Sequence, residues 1–106
     1  MDAFQAVADP IRRRLIEHLG RGELAAGELV ERVRGEFGVS QPAVSKHLRL
    51  LREAGLVASR VDAQRRIYHV RPNRLAEIGR WVDRQQRFWT GRLADLDRTL
   101  TESEQP

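Results

Sequence analysis

Apolar residues recur at helical spacing through the first half of the chain, pass through two short β-branched stretches, and return to helical spacing towards the end. Phe4 and Val7 predict a short helix over residues 1–8. Asp9 and Pro10 restart the chain, because aspartate accepts from free amides at a helix start and proline has no amide there to lose. Ile11, Leu15 and Leu19 form the inner stripe of a second helix, ended by Gly20 and Gly22. Leu29, Val30 and Val33 mark a third over residues 27–34, with Ala25 and Ala26 where a serine or threonine cap would serve better. Ser40 is the strongest cap in the chain. It precedes Gln41, Pro42 and a clean 3.6-residue pattern that stops at Gly55. Residues 56–61 and 66–71 read as the strands of a hairpin around Asp62, Ala63, Gln64 and Arg65. Pro72 and Asn73 then open a last helix reaching about Leu100, and residues 101–106 read as a polar tail.

Four helices, a hairpin and a long helix predict a mainly α protein with a small β-hairpin. Winding residues 40–54 at about 100° per residue sorts them into two faces. Ala43, Val44, His47, Leu48, Leu50, Leu51 and Ala54 share one side, and Gln41, Pro42, Ser45, Lys46, Arg49, Arg52 and Glu53 share the other. A helix with one apolar face, preceded by a short amphipathic helix and a tight connection, is the helix-turn-helix arrangement. Its polar face offers an amide, a hydroxyl and cations, the groups that read base edges and hold phosphates in a major groove. An ordinary surface helix is the alternative, and the basic hairpin that follows weakens it. Arg60, Gln64, Arg65 and Arg66 on that hairpin could reach DNA backbone or the minor groove. The DNA-contacting set is therefore Ser40, Gln41, Pro42, Ser45, Lys46, Arg49, Arg52, Arg60, Gln64, Arg65 and Arg66.

Charge supports that placement. Residues 1–40 carry six basic and seven acidic groups, and residues 75–106 carry five and six. Residues 41–74 carry eight basic groups against Glu53 and Asp62, so the whole excess lies in the middle third. That is the footprint expected for phosphate contact.

Other chemistry finds little support. The 106 residues include no cysteine, which excludes disulfides, thiolate metal sites and cysteine redox sensing. His18, His47 and His69 are scattered and lack the spacing of a ligand cluster, so each is read as structural, with no metal and no cofactor. Ser45 and His47 lie two apart on a helix and point to different faces, so they are no nucleophile and base, and an enzyme is not expected. Arg12 is expected to lay its stem on the core, with Arg13 pairing to Glu17 on a solvated face. No apolar run approaches a membrane span or a leader, which makes the cytoplasm the expected compartment.

The last helix speaks to assembly. Its apolar arc holds Leu75, Ile78, Trp81, Val82, Phe88, Trp89, Leu93, Leu96 and Leu100, interrupted only by Gln85 and Arg92. At 1.5 Å per residue that stripe is about 38 Å long, against a radius of gyration of about 13 Å for a domain this size. A short domain also buries only about 60–65% of its unfolded surface. The surplus is expected to meet a second copy in a two-fold dimer, with Phe4 and Val7 helping. The alternative is a helix folded back at Gly79 or Gly91. Residues 1–100 are thus expected to form one DNA-binding and dimerisation domain.

Three stretches carry a family resemblance: Ala8-Asp9-Pro10-Ile11-Arg12-Arg13-Arg14-Leu15, Ser40-Gln41-Pro42-Ala43-Val44-Ser45-Lys46-His47-Leu48, and Leu51-Arg52-Glu53-Ala54-Gly55-Leu56-Val57. They resemble the ArsR/SmtB family of bacterial winged-helix repressors. The stretch Arg87-Phe88-Trp89-Thr90-Gly91-Arg92-Leu93 looks like the branch of that family without metal ligands. The resemblance implies a homodimer that binds double-stranded operator DNA and represses, often at its own promoter. Three features depart from the family. Metal-sensing relatives carry a cysteine motif before the turn or paired Asp/His ligands on the last helix, and neither is present here. Residues 34–37 look inserted before Gly38, near one helical turn, and extend either the helix or the turn. The hairpin turn has Asp62-Ala63 where relatives often have glycine. Two functions remain open from sequence: a DNA-binding repressor, or a winged-helix module that docks a protein without binding DNA.

Overall fold

A computed structural model of the chain describes residues 1–104 and resolves five helices and three strands. Helix α1 is Ala3–Ala6, α2 is Pro10–Leu19, and strand β1 is Leu24–Ala25. Helices α3, Ala26–Phe37, and α4, Gln41–Glu53, follow. Strands β2, Val57–Asp62, and β3, Arg65–Val70, form the hairpin, and α5 runs over Pro72–Glu104. The order is the expected one with a strand added. Two compact units make up the chain, Met1–Leu75 and the residues from Ala76 onward.

Caps define the helix starts as the sequence implies. Asp2 and Gln5 form a reciprocal capping box on α1, each side chain accepting from the other's backbone amide. Asp9 Oδ1 accepts from the amides of Ile11 and Arg12 at 2.8 and 3.1 Å. Ser40 Oγ accepts from Ala43 at 3.3 Å. Helix α3 begins at Ala25 with no side-chain cap, and it runs through residues 34–37. The apparent insertion therefore lengthens the helix by one turn. Gly38 ends it at φ 66°, a left-handed conformation that glycine adopts without the Cβ clash of other residues. Gly55 does the same after α4 at φ 78°, where the Arg74 side chain lies 3.5 Å from the place of a Cβ.

The core of the first unit is built from one face of each element. Leu15, Leu29, Val33, Val44, Leu51, Leu56 and Val57 are fully buried, and Leu19, Val30, Leu48 and Ile67 nearly so. Burying each such side chain contributes about 1.5–3 kcal/mol relative to leaving it in water. The sheet order is β1-β3-β2, all antiparallel. In the hairpin Val57 faces Val70 and Asp62 faces Arg65, so the connection is the two residues Ala63 and Gln64. Both strands are thus displaced by one residue from the sequence expectation. Strand β1 was not anticipated. It sets Leu24 opposite Tyr68 and Ala25 opposite Ile67, covering the other edge of β3.

Arg12 is the one charged residue in that core, 9% exposed. Its Nε donates to the carbonyl of Ala6 at 2.7 Å and its Nη2 to that of Gln5 at 3.1 Å. Its Nη1 lies 3.2 Å from His47 Nδ1. Arginine has only donors, so His47 accepts through Nδ1. The side chain therefore fastens the end of α1 to α2 and α4. The expected Arg13–Glu17 pair does not form. Arg13 donates instead to the carbonyl of Val7 at 2.9 Å, and Arg14 holds Glu17 at 3.0 Å and Glu36 at 2.7 Å. A helix places residues three and four apart at similar reach, and Glu36 on the extended end of α3 draws in Arg14. Helix α5 continues to Glu104, past the expected end at Leu100, while Gln105 and Pro106 of the expected tail lie outside the described residues.

Candidate nucleic-acid interface

Helix α4 owes its orientation to its own two faces. Val44, Leu48 and Leu51 sink into the core, so Gln41, Pro42, Lys46, Arg49 and Arg52 are held exposed on the other side, with Ser45 half-buried. Thirteen residues make a rod about 20 Å long, narrow enough for a major groove about 12 Å wide. Gln41 Nε2 donates to Ser45 Oγ at 3.5 Å, one turn along. Arg49 Nε approaches Glu53 at 3.8 Å, a loose surface pair that a phosphate could displace. Gln41 and Ser45 open onto a cleft of about 260 Å³ shared with Gly27, Val30, Glu31 and Tyr68.

The hairpin stands beside the start of α3. Gln64, Arg65 and Arg66 line a second cleft with Ala25, Ala26, Gly27 and Glu28. Register divides the hairpin into two faces: Ser59, Val61, Arg66 and Tyr68 on one, Arg60, Asp62, Arg65 and Ile67 on the other. Arg66 Nη1 donates to Ser59 Oγ at 3.1 Å, along the first face. Arg60 Nη2 donates to Glu23 at 2.6 Å, reaching across β3 on the second. That carboxylate holds the Arg60 guanidinium above its ordinary pKa. The wing thus presents Arg65 and Arg66 at its tip, while Arg60 braces the sheet. Ala63 carries φ 56°, the left-handed turn conformation that glycine would adopt more readily.

Behind α4, Asp9 lies 3.9 Å from His47. Burial of the Asp9 carboxyl opposes its ionisation. The amides of Arg12 and Ile11 and the charge of Arg12 outweigh that and hold its pKa below the ordinary value. Glu36 is also held below its ordinary value, by hydrogen bonds from His18 and Arg14. His18 is thereby accounted for as a structural partner of Glu36. His69 leaves a buried Nδ1 without a hydrogen-bond partner. No group of three or more metal-ligating side chains gathers among the described residues.

Helix α5 carries its apolar arc into solvent. Leu75 and Ile78 are half-buried, whereas Trp81, Val82, Phe88, Trp89, Leu93, Leu96 and Leu100 are exposed, Trp89 at 56% and Leu93 at 62%. Phe88 and Trp89 pack edge to face with ring centroids 5.2 Å apart. On α1, Phe4 is exposed and Val7 half-buried. No helix among the described residues is long and apolar enough to cross a membrane.

Residues 7–60 match the helix-turn-helix domain family. The HTH-type transcriptional regulator Rv2034 of Mycobacterium tuberculosis is 44% identical over 91 residues, 86% of this chain and 78% of that protein. The solved ArsR-like transcriptional regulator from Rhodococcus sp. RHA1 matches with a TM-score of 0.76 at 30% identity, covering 96% of this chain and 89% of that one. The chain belongs to the ArsR family of winged-helix transcriptional regulators. Another solved structure, a possible transcriptional regulator for arsenical resistance, matches at 35% identity and TM-score 0.69 over 99% of both chains. The probable mercury resistance operon repressor of Streptomyces lividans is 40% identical over 75 residues, 71% of this chain and 57% of that protein.

In this ArsR-family chain the anticipated residues separate into two groups. The α4 set lies on one helix face, and Gln64, Arg65 and Arg66 lie together at the wing tip. Two polar partners escaped the sequence reading, Glu23 on Arg60 and Ser59 on Arg66. The hairpin register would have revealed Ser59, since it sits diagonal to Arg66 on one face. Glu23 is separated from Arg60 by 37 positions and leaves no local signal.

Proposed function

We infer that this ArsR-family chain is a sequence-specific DNA-binding repressor that acts as a homodimer on operator DNA, its own promoter included. The carrying observation is α4, whose buried face fixes it to the core while Gln41, Lys46 and Arg49 point outward and Ser45 stands half-buried one turn from Gln41. Those side chains suit base edges and phosphates of one major groove, and Arg65 and Arg66 suit the adjoining backbone. The exposed arc of α5 supports a two-fold dimer, which would present two α4 helices to half-sites about one helical turn apart. Relatives named as repressors support the direction of control. Metal plays no part in this reading. Soft metals need thiolates, and the sequence has no cysteine.

The test is a gel shift of the purified protein on the DNA upstream of its own coding sequence, with a scrambled duplex as control. A shift confined to the upstream DNA, unchanged by EDTA or zinc, is the expected result. Equal affinity for both duplexes, or none for either, would favour a module that docks a protein. A tenfold change with zinc or EDTA would overturn the metal-free part.

A further inference from the structure

The fork at the start of α4 carries information about which base is read, given that α4 enters the major groove as inferred above. A glutamine amide has two N–H groups and one carbonyl. In this chain Gln41 Nε2 donates one N–H to Ser45 Oγ. Residues four apart on a helix face one another, so this pairing needs no distortion of α4. One amide N–H lies on the same side as the carbonyl, and the other lies on the opposite side. Giving the second to Ser45 leaves whole the edge formed by the carbonyl oxygen and the remaining N–H. That edge is one donor beside one acceptor. Ser45 is half-buried against the α3 side of the cleft, whereas Gln41 is exposed, so the serine is the fixed member and the glutamine the oriented one.

We propose that Gln41 reads an adenine in each operator half-site and that Ser45 is a positioning residue holding its amide for that contact. Adenine presents N7 as acceptor and the N6 amino group as donor in the major groove, the complement of the Gln41 edge. Guanine presents two acceptors, N7 and O6, and the Gln41 carbonyl would meet O6 with no hydrogen between them. An unoriented glutamine can rotate its amide and offer its donors to guanine. The hydroxyl of Ser45 therefore contributes selectivity more than grip.

The experiment is selection from a randomised duplex of about 25 base pairs, long enough for two half-sites, followed by binding of Gln41→Ala, Ser45→Ala and Ser45→Thr. Alanine is the best helix former, so Ser45→Ala keeps α4 intact, which circular dichroism checks. The selected site is expected to contain an adenine that the wild type prefers over guanine by roughly tenfold or more. Gln41→Ala and Ser45→Ala should each lose that preference at the one position, with an unchanged salt slope, and Ser45→Thr should keep it. A selected site with no adenine sensitive to Gln41→Ala overturns the base assignment and leaves the repressor reading standing. Loss in Gln41→Ala with full preference in Ser45→Ala overturns the positioning role. Failure to enrich any sequence overturns sequence-specific reading itself, and this inference with it.

Discussion

Asp9 serves two purposes through one carboxylate, since it caps α2 and faces His47 behind the reading helix. Replacing a capping aspartate by alanine costs about 1–2 kcal/mol. The Asp9 pKa is lower in the folded chain than its ordinary 3.8. A carboxyl lowered on folding stabilises above its unfolded pKa, and that stability is lost as pH falls through the folded value. The gap between wild type and Asp9→Ala, measured by urea melts, should therefore be full at neutral pH and shrink below about 3.8. A gap that widens in acid would mean Asp9 does not act as an ionised cap. At this scale the caps were legible, because Asp9-Pro10 and Ser40 are local signals. Arg12 was legible only in part. Its burial follows from its place on the inner arc of α2, but its hydrogen bonds to Ala6 and His47 depend on how α1 and α4 pack.

Elements differ in how much of themselves the chain announces. Helix α4 shows a cap, a period and a glycine stop. Helix α3 also stops at a glycine, and Phe37 follows Val33 at helical spacing, but Gly35 between them disfavours a helix, so the turn over residues 34–37 carried a mixed signal. Strand β1 has two residues, too few for an alternation, and exists because β3 offers it a free edge. The hairpin turn closes over Ala63 and Gln64 with Ala63 at φ 56°. A left-handed conformation costs a non-glycine residue about 1–2 kcal/mol, and the extra freedom of glycine in the unfolded chain takes back part of any relief. Ala63→Gly should thus stabilise by about 0.5 kcal/mol, raising the melting temperature by about 2–4 °C. A fall in melting temperature would show that the wing turn gains nothing from glycine.

For the whole molecule, the arc of α5 was legible as an apolar stripe, and the structure leaves its distal two-thirds exposed in the single chain. A charge placed in the middle of a buried dimer face costs several kcal/mol. Trp89→Asp should sediment as a monomer at micromolar concentration and lose operator affinity, and a variant that stays dimeric would place the interface elsewhere. The division of labour between α4 and the wing is the central claim. Removing a base-reading side chain should cost about 1–3 kcal/mol on the operator and little on random DNA, whereas removing a phosphate-binding one weakens both alike. The direct measurement is a salt titration of binding to operator and scrambled duplexes. It compares wild type, Gln41→Ala with Arg49→Ala, and Arg65→Ala with Arg66→Ala. The α4 variant should shrink the ratio of specific to non-specific affinity. The wing variant should keep that ratio and lower the salt slope by about one unit for each phosphate its arginines neutralise in the wild type. Loss of discrimination in the wing variant alone would contradict α4 as the reading helix.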